Sequence, residues 1–322
     1  MDSYDYKRLM ETLGFQRLSS YEALQTLWGG YGELVRLSVD ETSVVVKHIQ
    51  LPKPEHHPRG WNSDLSHQRK LRSYQVELNW YLNAANHSVA KVPNAIHVQR
   101  EENELLIVMQ DLKSLGYSEV VKHAERTHLR ACLAWFAQFH AQHIGHQGEG
   151  LWEQGTYWHL DTRPDEFAAL SDERLKSYAH KIDKVLSQAP YQTLVHGDGK
   201  LANFCFTADG AQAAAVDFQY IGRGCAMKDI ALFMSSAVEP DQCAEMESWV
   251  LDEYFTCLKV ALANHQPDLK FEDVERAWRP LFAIAWADFQ RFVKGWSPGH
   301  WKINPYTEQL TQNALEQLKA YP

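Results

Sequence analysis

The chain has 322 residues, 45% of them apolar, and a formal charge of −9 at pH 7. That length calls for two lobes or domains, and the composition excludes global disorder. The negative balance, with no run of Lys and Arg, argues against a nucleic-acid binder that works by phosphate neutralisation.

In chain order, residues 4–13 read as a short helix that stops near Gly14. Residues 24–50 read as antiparallel strands: LQTLWGGYGELVRLSV, interrupted by Gly29, Gly30 and Gly32, then SVVVKHI beyond the turn residues Asp40, Glu41 and Thr42. The proline-bearing stretch 51–68 is predicted as a loop, with a helix over 69–86 and strands near 95–99 and 104–109. At MQDLKSLG, residues 109–116, the pattern turns helical, which sets a lobe boundary between 1–110 and 111–322. Helices are predicted at 124–145, 165–188, 226–236, 240–264, 272–294 and 306–320.

One later stretch does not read as helix: LVHGDGKLANFCFTADGAQAAAVDFQ, residues 194–219. Asp209-Gly210, between FCF and AAAVDF, is a hairpin signal. His196, Asp198, Lys200 and Asn203 sit at its entry and Asp217 at its exit, so closing the hairpin gathers Asp198, Asn203 and Asp217. Asn203 and Asp217 offer hard oxygen ligands suited to Mg²⁺, and Asp198 is left free to accept a proton. A charge-neutralising metal beside a base is what phosphoryl transfer needs. The plainer reading is a hairpin with solvated polar ends.

His196-x-Asp198, with Asn203 five residues on and Asp217-Phe218 after it, has the spacing of the kinase catalytic loop and of the metal-binding Asp-Phe-Gly. Gly197 in place of arginine and Gln219 in place of glycine resemble the small-molecule kinases: aminoglycoside phosphotransferases, choline kinases and, nearest in this motif, the ecdysteroid-kinase-like group. The resemblance spans residues 24–236 and implies a two-lobed, protein-kinase-like α+β fold. The first lobe is an antiparallel sheet with one main helix, the second is mostly helical, and Mg²⁺ with ATP (or GTP) binds between them.

The same resemblance assigns roles. Lys47, ending VVVK, contacts the α- and β-phosphates and is held by Glu77. Gly29, Gly30 and Gly32 form a degenerate phosphate loop. Gln110 and Leu112 offer backbone groups to the adenine, and Met109 lines its pocket. Lys200 meets the transferring phosphate, while His196 and Asp229 brace the loop. Each has a plainer alternative: an exposed strand lysine, a solvated helix glutamate, hairpin glycines, a buried strand end, a helix-start aspartate. Their kinase-like order along the chain favours the functional set.

His140, His143 and His146 recur every three residues, but no carboxylate or cysteine nearby completes a metal site, and a polar helix end is the favoured reading. Trp152, Trp158, Trp278, Trp286, Trp296 and Trp301 are expected mostly in the core, a minority lining an acceptor site for a quaternary ammonium or an apolar alcohol. Asp288 is a candidate acceptor-site residue, with a solvated face as its alternative. Five cysteines with no C-x-x-C pair, a polar N-terminus and no run of about 18 apolar residues predict a cytoplasmic protein without a membrane span. The expected activity is phosphorylation of a small-molecule alcohol. A nucleotide-binding pseudokinase and a nucleotidyl transferase are the alternatives. Protein-kinase activity is disfavoured, because no Ala-Pro-Glu segment follows Asp217.

Overall fold

The computed structural model describes residues 5–27, 30–51 and 64–321. A five-stranded antiparallel sheet opens the fold, in the order β1-β2-β3-β5-β4. Its strands are β1 (Leu18–Thr26), β2 (Gly32–Val39), β3 (Thr42–Gln50), β4 (Ala95–Arg100) and β5 (Glu104–Gln110). Side chains alternate across a strand. In β3, Val44 and Val46 join Val35, Leu37, Val39, Leu106 and Val108 on the outer face, where Tyr6, Leu9 and Met10 of α1 (Tyr6–Thr12) cover them. The other parity turns Val45 and Lys47 of β3, and Met109 of β5, toward the inner face.

Helix α2 (Asp64–Asn83) packs on that inner face. It starts five residues earlier than predicted, so 64–68 are helix, and the rest of the predicted loop, 52–63, lies outside the described residues. Strand β1 begins at Leu18, six residues before the predicted start. It is an exposed edge strand without apolar alternation, so periodicity does not mark it.

The rest is mainly helical: α3 (Arg126–His143), α4 (Pro164–Ala169), α5 (Glu173–Ser187), α6 (Met227–Ala237), α7 (Cys243–His265), α8 (Phe271–Trp278), α9 (Leu281–Trp296) and α10 (Pro305–Gln317). Two predicted helices are each broken in two. Asp172 caps α5 by accepting from Leu175 N at 3.0 Å, which ends the run begun at Pro164. Pro280, with no N–H to donate, separates α8 from α9.

Between α5 and α6 lie four short strands, β6 (Thr193–Val195), β7 (Phe204–Phe206), β8 (Ala213–Ala215) and β9 (Gly222–Gly224). β7 and β8 form the predicted hairpin, with Phe204 opposite Ala215 and Gly210 at φ +69°. The largest core is continuous from α2 into the helical part, where Trp80 stacks on Phe218 and meets Phe139 edge-on. No helix among the described residues is long and apolar enough to cross a membrane.

Candidate active site

The inner face of the sheet, α2 and the β7–β8 hairpin enclose a cavity of about 440 Å³. Its lining includes the apolar Leu24, Leu27, Leu34 and Val45, the hinge residues Met109, Gln110 and Leu112, and the polar set Lys47, Lys70, Glu77, Asp198, Asn203 and Asp217. The hairpin thus brings its three polar residues to one cavity.

Lys47 donates to Glu77 Oε2 at 2.6 Å and to Asp217 Oδ1 at 3.3 Å. Burial opposes its charge, but the two carboxylates outweigh that and hold its pKa above the ordinary lysine value. Asp217 takes the left-handed backbone at φ +68°, a strain of about 1–3 kcal/mol that concentrates at functional sites. Burial alone would raise its pKa; Lys47, Lys70 and Lys200 lower it, so the carboxylate stays ionised.

Asp198 is set differently. Its Oδ2 accepts from Lys200 Nζ at 2.9 Å and from Asn203 Nδ2 at 3.2 Å, while Oδ1 is buried without a partner among the described residues. Burial raises its pKa, and Lys200 offsets this only in part. A carboxylate raised in this way is a better proton acceptor than a solvated one.

Asn203 spends its amide N–H₂ on Asp198, at 2.8 Å to the backbone carbonyl as well, which leaves its Oδ1 for another partner. That oxygen and the ionised Asp217 fit a hard cation that keeps waters and substrate phosphates as its other ligands. Among the described residues no group of three His, Cys, Asp or Glu could hold a metal by itself, and this covers His140, His143 and His146.

The loop bearing Asp198 is anchored from behind. Asp229, buried at the start of α6, accepts from His196 N at 2.6 Å and Gly197 N at 2.9 Å. Asp198 N donates to His196 Nδ1 at 3.3 Å, so the network puts the ring proton on Nε2, which donates to Val216 O at 3.0 Å. His196 is thereby occupied as a brace between the two ends of the hairpin.

The profile of the phosphotransferase enzyme family matches residues 24–256. The chain belongs to that family. No curated protein sequence matches it. Among solved structures, it is similar to an aminoglycoside-3'-phosphotransferase of type VIII at 15% identity, covering 89% of this chain and 98% of that one, with a TM-score of 0.49. It is also similar to the choline kinase LicA from Streptococcus pneumoniae at 12% identity, with 99% and 100% covered and a TM-score of 0.43. A microcompartment-associated aminopropanol kinase gives 12% identity, 98% and 97% coverage and a TM-score of 0.45. The family match does not single out the ecdysteroid-kinase-like group.

Within this phosphotransferase the remaining expected site residues divide. Gly29 lies outside the described residues. Gly30, at φ +75°, has open space around it, as in a turn. Gly32 starts β2 at φ +131°, and a Cβ there would meet His48 O at 2.0 Å, so close strand packing requires this glycine. At the hinge, Gln110 N–H is already given to Asn94 O at 2.9 Å, and Leu112 O accepts from Leu115 N and Tyr117 N. The N–H of Leu112 has no partner among the described residues, so one of the two expected hinge positions keeps a free donor. Lys200 points to Asp198 and is the counter-ion of that carboxylate.

Asp288 is a correction. It is 1% exposed, accepts from Trp158 Nε1 at 2.9 Å and Arg291 Nη2 at 3.0 Å, and lies 3.5 Å from Lys228. Helix α9 is buried on nearly every side, so Asp288 and Arg291 pair inside the core, away from the cavity lining. His140 is likewise no polar helix end: it is buried between Tyr254 OH and Asp229 Oδ2.

Gly197 explains its own departure from the kinase pattern. At φ +77°, a Cβ would sit 2.1 Å from Tyr220 O. Gly197→Ala should lower stability by about 1–3 kcal/mol from the backbone alone, with the clash adding to it. Urea unfolding measures this, and an unchanged midpoint would refute the steric account.

Sequence reasoning did not give four residues the roles they take in the structure. Asp111 is locked by Arg36 at 2.7 Å and Ser43 at 2.6 Å, which ties the hinge to β2 and β3. His140 supports Asp229. Lys70 lines the cavity, and Gln219 bonds both Lys70 Nζ and Asp217. The available signal for Lys70 was its place two helical turns before Glu77, on the same face.

Proposed function

We propose that this phosphotransferase moves the γ-phosphoryl group of a nucleoside triphosphate, ATP in the first instance, to a hydroxyl of a small molecule. The observation that carries the reading is Asp198 Oδ1, a buried acceptor with no partner among the described residues, in the same cavity as Asn203 and Asp217. An unsatisfied buried carboxylate oxygen is costly unless a ligand donor completes it, and an acceptor hydroxyl does so.

In this reading Leu112 N–H and the apolar lining hold the base, and residue 110 is where the two lobes meet. Lys47, fixed by Glu77, orients the α- and β-phosphates. Asn203 Oδ1 and Asp217 hold Mg²⁺, which supplies charge neutralisation along the phosphates when bound. Asp198 takes the acceptor's proton, and Lys200 steadies that carboxylate. All five cysteines are free, which fits the cytoplasmic setting that is part of this proposal.

The test is mass-resolved product formation with Mg²⁺ and ATP, or GTP, across choline-like amines, aminoglycosides, sugars and sterols. A phosphate-sized gain that disappears on chelation of Mg²⁺ is expected. A nucleotidyl-sized gain would transfer the protein to the other reaction class. Failure to bind either nucleotide would overturn the reading.

A further inference from the structure

We propose that Lys70 is a second phosphate-binding cation of this site, held by Gln219 so that its ammonium meets the terminal phosphoryl group of the nucleotide. The proposal rests on the nucleotide reading above and adds a residue to it. Lys70 and Glu77 are seven residues apart on α2, which puts both on the helix face that lines the cavity. Lys70 Nζ donates to Gln219 Oε1 at 2.7 Å and lies 4.4 Å from the centre of the Tyr74 ring. Both partners are uncharged.

The other cations lining the cavity are differently placed. Arg36 faces Asp111 and Glu22, Lys47 faces Glu77 and Asp217, and Lys113 is exposed. Lys70 has no carboxylate within ion-pair distance among the described residues. An ammonium carries three donors, and Gln219 uses one, so two remain for a ligand. A partly buried cation with no carboxylate in direct contact, its charge balanced only at a distance by Asp217, Glu77 and Asp198, is a place for an anion.

Gln219 makes the placement specific. It is 7% exposed, accepts from Lys70 and from Ser73 Oγ at 3.3 Å, and donates through Nε2 to Asp217 Oδ1 at 2.8 Å. One side chain thus spans from the ammonium to the metal-holding carboxylate. A glycine at 219, the usual residue of the Asp-Phe-Gly pattern, has no side chain to do this. The departure at 219 and the lysine at 70 therefore act as a pair. Lys70 lines the same cavity as Asp198 and Asp217 and is joined to Asp217 through Gln219, which in the nucleotide reading puts it beside the terminal phosphate rather than the base.

The experiment is calorimetric titration of the full chain with Mg²⁺ and either ADP or a β,γ-imido analogue of ATP, for wild type and Lys70→Met. Loss of one charge-assisted contact should weaken the triphosphate by about 10- to 100-fold. ADP affinity should stay within about twofold, which also certifies the fold of the variant. Lys70→Arg, which keeps the charge, should retain most of the preference for the triphosphate. Equal loss for both nucleotides, or no loss for either, would overturn the proposal. Absence of binding by wild type would instead defeat the nucleotide reading on which it stands.

Discussion

Asp198→Asn is expected to lower kcat by about 10²- to 10⁴-fold, the usual worth of a general base, while nucleotide affinity stays near the wild-type value. The substitution is nearly isosteric. Lys47 and Asp217 keep their partners, while the capacity to take a proton and the charge that pairs Lys200 are removed. The pH profile gives an independent reading. Burial raises the pKa of Asp198, so its basic form is lost at a higher pH than for an ordinary carboxylate. Wild-type kcat should therefore fall as pH is lowered through that raised value, and the acid limb should vanish in the variant. Stopped-time product mass on the best acceptor, with calorimetry for the nucleotide, measures both. Turnover within a few-fold of wild type would remove Asp198 from the role of base.

The readable parts of this molecule are those in which local chemistry and tertiary demand agree. β3 announces itself by a β-branched run and β5 by an apolar one, and the parity that buries Val44 and Val46 outside also aims Lys47 inward. The hairpin is legible because Asp209-Gly210 supplies its turn, and its closure gathers Asp198, Asn203 and Asp217 as the spacing requires. The less legible parts depend on what a segment meets. β1 has no alternation, because it lies at an edge with its side chains in solvent. Asp288 reads as a polar position on an amphipathic helix, and only the tight surround of α9 turns it into an internal ion pair. His140 belongs to a spaced triplet in the sequence, yet its role comes from Asp229, 89 residues away. Lys70 stands at the edge of the predicted helix, where the boundary is least defined by sequence. Its partner Gln219 is noticed only as a missing glycine.

Asp229→Ala is the largest stability effect expected here, and it shows why the catalytic loop needs support from outside itself. The Asp229 carboxylate accepts from the backbone N–H groups of His196 and Gly197, and His140 Nε2 lies 3.1 Å from Oδ2. Alanine leaves two buried N–H donors and one imidazole without that partner. Each orphaned donor costs about 1–3 kcal/mol, so the two backbone donors alone give a loss of about 2–6 kcal/mol. Asp229→Asn should cost less, since one oxygen remains, but its amide N–H₂ must then face a backbone N–H. Urea unfolding separates the two variants. The functional consequence comes from the same bonds: His196 and Gly197 immediately precede Asp198, and Gly197 has no freedom beside Tyr220 O to find another anchor. Turnover should drop in both variants even where the protein is still folded, with the smaller loss in Asp229→Asn. If Asp229→Ala unfolded within about 1 kcal/mol of wild type, the loop would have to be held by its own hairpin, with Val216 O and His196 carrying the anchorage assigned here to α6.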